Sequence, residues 1–266
     1  MNISTKEKKN LNKPFFNNLR PFKGKHAQDY YSNPQYVDKD VYSPPRGGGA
    51  YVRAFHLLQQ EMFKIFEFVE PSDTNLKCYS LQLHGLILKT CVELEANFRN
   101  ILKNNGYNRK RDSWSMNDYK KLEKTHKLSY YKVHLPRYDG AKNIRQPFKN
   151  WKDNENLDWF NAYHGVKHDR VANFPDANLD NLLDSICGLL VVLSSQFCSN
   201  NFDNIDPLSH SFGYTDRYIT HRRIAIGRYF LIEFPAPEKW SEDERYENFD
   251  REFREKPECS KIFDIG

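Results

Sequence analysis

Two histidines in one short segment define the chemistry this chain offers. The run Asn161-Ala162-Tyr163-His164-Gly165-Val166-Lys167-His168-Asp169-Arg170 places Asn161, His164 and His168 at i, i+3 and i+7. On a helix those positions share one face. Lys167 borders that face, and Arg170, two residues beyond His168, reaches toward it with a long side chain. Histidine titrates near neutrality and so moves protons. Lysine and arginine hold phosphate and stabilise negative charge developing on it. A proton acceptor, a proton donor and a cationic clamp are what cleavage of RNA by its own 2′-hydroxyl requires, without metal. The His-x3-His spacing also suits a metal pair, although no third ligand is evident and no HExxH sequence is present. A plainer reading stays open beside both: a wet helix face whose histidines are satisfied by a backbone carbonyl or by Glu95.

The elements that must position these groups are helical. The spacing predicts a helix over 156–171, with Trp159, Phe160, Tyr163 and Val166 as its apolar side. A longer helix is predicted from about Asn75 to Asn104, striped by Leu83, Ile87, Cys91, Leu94, Phe98 and Ile101 and closed by Asn104-Asn105-Gly106. Glu95 and Arg99 stand four apart at the edge of that stripe. If the two helices pack antiparallel, Glu95 can orient a histidine and Arg99 can add phosphate affinity. A first helix from about Ala50 carries Val52, Phe55, Leu58, Met62, Ile65, Phe66 and Val69 at helical spacing before Pro71. A last one, with Asp176 as expected N-cap, runs to about Phe197. Its second half is apolar nearly all round, which makes it the expected centre of the core.

The remaining segments are less regular. Residues 1–49 are basic, proline-broken and aromatic, and read as an extended arm ending at Gly47-Gly48-Gly49. Residues 103–152 hold fourteen Lys/Arg against four Asp/Glu, a charge excess that suits a polyanion or, equally, a face balanced by acidic neighbours. Tyr107, Trp114, Tyr119, Tyr130, Tyr131 and Tyr138 interleave with those cations, as stacking platforms for unpaired bases or as buried anchors of an insertion. Within it, Met116 to Lys127 suits a short helix, and Tyr130 to Leu135 alternates like a strand. Residues 201–266 form a C-terminal appendage, irregular, with one strand expected at Tyr229 to Phe234, an acidic tail from Ser241, and a basic cluster at Arg217, His221, Arg222, Arg223 and Arg228.

Composition narrows the class. No run approaches the ~20 apolar residues of a membrane span, and the polar, lysine-rich start has no secretory h-region. The five cysteines are odd in number and form no CxxC, as expected of reduced thiols in a cytoplasmic protein. No P-loop, dinucleotide-binding glycine pattern, GxSxG or zinc-type cysteine pattern is present. No cofactor is therefore expected.

With these residues in view, the chain resembles the HEPN superfamily. The likeness rests on Glu-Leu-Glu-Ala-Asn-Phe-Arg-Asn-Ile-Leu at 93–102, on Trp-Phe-Asn-Ala-Tyr-His-Gly-Val-Lys-His-Asp-Arg at 159–170, and on the continuation Asn-Phe-Pro-Asp-Ala-Asn-Leu-Asp-Asn-Leu-Leu at 173–183. It covers at most residues 50–200. The resemblance implies a mainly α fold: a HEPN-like four-helix bundle over 50–200 with the basic insertion at 103–152. It also implies metal-independent endoribonuclease activity, set in bacterial anti-phage defence or a toxin–antitoxin pair, with RNA, an antitoxin or other protein, or a second copy as partner. In that reading His168 is the general acid or base and His164 the second proton-transfer or orienting group. Arg170 stabilises charge and Glu95 orients, while Asn161, Lys167 and Arg99 hold substrate. The family's active motif has an arginine four to six residues before the histidine. Here no arginine lies between Trp151 and His168, and the six-spaced position is Asn161. The alternatives are a non-catalytic module that binds nucleic acid or protein, and a metal-dependent hydrolase at His164 and His168.

Overall fold

The computed structural model describes residues 18–21, 48–107, 114–199, 201–202 and 222–245. Most of the N-terminal arm, the tail beyond Arg245, and the Arg217 and His221 part of the basic cluster lie outside the described residues. The described chain is mainly helical with one small antiparallel sheet.

Helix α1 spans Gly48–Phe66 and buries Val52, Phe55, Leu58 and Met62. Helix α2 spans Leu81–Asn104 and buries the whole predicted stripe from Leu83 to Ile101. It starts six residues later than the apolar spacing suggests. Ser80 is the N-cap, its hydroxyl accepting from the Leu83 amide at 3.2 Å, and the preceding Asp73–Asn75 form a single 3-10 turn. Its end is as expected: Gly106 adopts φ 84°, and the Tyr107 and Gly106 amides donate back to the Leu102 and Lys103 carbonyls.

Two short helices follow, α3 (Met116–Tyr119) and α4 (Leu122–His126), and then strands β1 (Lys132–His134) and β2 (Ile144–Arg145). Helix α5 spans Asp158–His168, α6 Arg170–Asn173 and α7 Leu179–Phe197. Helix α7 is the central element, packing on α1, α2 and α5, while α2 also packs on α1 and α5. From Ser185 to Phe197 every residue of α7 is buried. Its N-cap is Asn178, which accepts from the Asn181 amide at 3.1 Å, rather than the expected Asp176, which sits in a 3-10 turn.

Strands β3 (Arg222–Ile224) and β4 (Leu231–Glu233) complete a sheet of order β2-β1-β4-β3. Lys132 pairs with Glu233, Val133 with Ile232 and His134 with Leu231. The basic insertion and the C-terminal appendage therefore share one sheet, and the boundary drawn at residue 200 is crossed by backbone hydrogen bonds. The insertion's aromatics act largely as anchors. Tyr131 is fully buried, Tyr119 and Tyr138 are buried, and Trp114 stacks on Tyr119. Its charge is partly met inside the fold. Arg145, with a side chain 6% exposed, bonds Asp180 at 2.5 Å and Asp184 at 3.3 Å on α7, and Lys132 bonds Glu233 at 2.9 Å.

Removing Arg145 leaves Asp184 without its cation and Asp180 with only the exposed Lys142 at 3.7 Å. Arg145→Met is expected to lower stability by about 3 kcal/mol, read as a lower urea midpoint with an unchanged slope.

Candidate functional site

The site is built where α5 lies across α2. The two helices run antiparallel: toward the C-terminal end of α5, the Val166 carbonyl meets His84 Nε2 at 3.3 Å, and farther back Tyr163 meets Glu95. The apolar side of α5 anchors it, with Trp159, Phe160, Tyr163 and Val166 all buried. Trp159 donates its indole N–H to the Pro147 carbonyl at 2.8 Å. The opposite side carries Asn161, His164, Lys167 and His168, all exposed.

Helix α5 stops at His168, three residues short of the predicted end. Asp169 leaves helical geometry (φ −139°, ψ 84°) and caps α6 by accepting from the Ala172 amide at 3.0 Å. Asn173 then folds back and donates to the Gly165 and Asp169 carbonyls. Arg170 is exposed, but it opens a new helix instead of continuing the histidine face.

The imidazoles of His164 and His168 are parallel, at 3° between planes and 6.1 Å between centroids. The His164 ring also lies against Phe160 and Tyr163. Desolvation of the ring by these neighbours pushes its pKa below the ordinary histidine value. The positive charge of Lys167 and the neighbouring His168 act in the same direction, and Glu95 opposes them. His164 is therefore held neutral, as a proton acceptor, at neutral pH. Among the described residues no group of three His, Cys, Asp or Glu side chains is placed to hold a metal ion.

Glu95 sits under this face rather than on it. It is 8% exposed. One carboxylate oxygen accepts from Arg99 one turn along α2, and the other from the Tyr163 hydroxyl at 3.1 Å. Glu95 thus bonds neither histidine, contrary to the expected orienting contact, and acts on His164 through its charge alone. Arg99 Nε donates to the Tyr119 hydroxyl at 3.1 Å, and Lys167 Nζ to the Tyr163 hydroxyl at 2.9 Å. Burial and the Glu95 charge raise the Tyr163 pKa, so that hydroxyl keeps its proton.

The structure thus gathers His164, Lys167, His168, Glu95 and Arg99, leaves Asn161 on the same exposed side of α5, and sets Arg170 on a separate helix. It adds Tyr163, read from the sequence as apolar packing, and Tyr119, read as a stacking platform or a buried anchor. The Tyr163–Lys167 spacing of four was the available signal. Comparison with protein-family models, curated proteins and solved structures gives no match.

Two substitutions test these electrostatics by NMR titration of the His164 ring. Glu95→Gln removes the charge that raises His164 and is expected to lower its midpoint. Lys167→Met removes a charge that lowers it and is expected to raise the midpoint. Because the folded value lies below the unfolded ~6.5, His164 contributes stability at pH above that value. The contribution is lost as pH falls through it toward the folded value. Glu95→Ala, which leaves the Tyr163 hydroxyl and Arg99 without their acceptor, is expected to cost about 2 kcal/mol.

Proposed function

We propose that this face binds RNA and cleaves it without metal. The observation that carries the reading is the pair of exposed, parallel imidazoles with His164 held neutral beside Lys167. In the proposed step, neutral His164 takes the proton of a 2′-hydroxyl as that oxygen attacks the adjacent phosphorus. The bond from phosphorus to the 5′-oxygen breaks, and His168, as general acid, gives a proton to the leaving oxygen. The products are a 2′,3′-cyclic phosphate and a 5′-hydroxyl. Lys167 and Arg99 contact the phosphate, where charge develops. Asn161 borders the path of the strand, and Arg170 supplies a further phosphate contact from α6. The proton transfers account for about 10²–10⁴-fold each.

The resemblance of 93–102 and 159–170 to the HEPN superfamily supports the same reading. It suggests a bacterial defence or toxin–antitoxin setting, with an antitoxin or a second copy of the chain as protein partner. Asn161, standing where active members carry arginine, favours the second reading: a module that binds RNA or a protein without turnover.

Incubation of the purified protein with single-stranded RNA in excess EDTA separates the two. Cleavage is expected to persist in EDTA and to fall by at least about 10²-fold in His168→Ala and in His164→Ala. Binding without cleavage by the wild-type protein supports the non-catalytic module. Cleavage abolished by EDTA and restored by a divalent ion supports the metal reading.

A further inference from the structure

The chain of bonds beneath the histidines has a direction. Tyr163 has one hydroxyl proton, and it goes to Glu95 Oε1. The oxygen's lone pairs are then free to accept from an ammonium, and Lys167 Nζ donates to them at 2.9 Å. A buried carboxylate on α2 thereby holds a lysine on α5 without drawing its charge into the interior, where desolvation would be costly. The aromatic ring alone is a poor substitute. Lys167 Nζ lies 5.0 Å from the Tyr163 ring centroid, and such a contact attracts a cation over a broad face by about 0.5–1 kcal/mol at exposed sites. Only the hydroxyl fixes a point.

We infer that Tyr163 is a positioning residue whose hydroxyl holds Lys167 at the surface beside His164. The charged and titratable groups acting on His164 are Glu95 from α2 and Lys167 and His168 from its own helix. Of these, Lys167 has the longest flexible stem, and the charge of a lysine free to swing into solvent is strongly screened. Fixing it sets both a phosphate contact and the protonation of the proposed base. The inference rests on the reading of this face as a phosphate-binding site, but its test does not need RNA.

The test is an NMR titration of the His164 ring in wild type, Lys167→Met and Tyr163→Phe, with the mobility of the Lys167 side chain measured alongside. Tyr163→Phe keeps the buried ring and removes only the hydroxyl. The His164 midpoint is expected to rise in Lys167→Met. In Tyr163→Phe it is expected to rise in the same direction, while Lys167 changes from restrained to freely mobile. A Tyr163→Phe midpoint equal to wild type, or no rise in Lys167→Met, overturns the inference. If Tyr163→Phe does not fold, wild type decides: a Lys167 side chain as mobile as an exposed surface lysine overturns the inference, and a restrained one supports it. Absence of RNA binding by the wild type instead defeats the functional reading and leaves these titrations readable.

Discussion

A carboxylate at the seam between two helices must find donors, because a buried charge without partners is too costly to keep. Glu95 finds them on both sides: Arg99 from its own helix and the Tyr163 hydroxyl from α5. Each donor is tied onward, Arg99 to Tyr119 and Tyr163 to Lys167. Satisfying one buried charge therefore fixes the level at which α5 crosses α2 and turns two cations toward solvent. His164 and His168 stand on the next strip of the same helix. Their position follows from the packing of Trp159, Phe160 and Val166 on one side and the Glu95 contact on the other.

The rest of the fold supports that crossing. Helix α7 is buried over its whole second half and backs α1, α2 and α5. The sheet ties the insertion to the C-terminal segment, and Arg145 ties the insertion to α7. Part of the insertion's positive charge is thus engaged in structure, through Arg145 on α7 and Lys132 on β4.

The stripe of α2, the apolar side of α5 and the buried half of α7 were legible in the sequence, because packing at helical spacing leaves a pattern. The breaks were less so. Asp169 fits the middle of a helix by spacing, and only its cap on Ala172 and the return of Asn173 reveal the end of α5. Asn178 outcompetes Asp176 as a cap for a similar reason: which side chain reaches an amide depends on the turn before it. The pairing of β4 with β1 joins residues about a hundred apart, which no local pattern encodes. The bonding of Glu95 was misjudged because two candidate partners, a tyrosine and a histidine, are adjacent on α5, and helix rotation decides between them.

The central claim is that the histidine pair performs metal-independent transesterification on RNA. Its most direct test is the chemistry of the fragment ends formed in EDTA, read by mass spectrometry. The account predicts 2′,3′-cyclic phosphate at one end and 5′-hydroxyl at the other, with no product when the 2′-hydroxyl at the cut site is replaced by hydrogen. Fragments ending in 5′-phosphate, or cutting that survives loss of the 2′-hydroxyl, would contradict it.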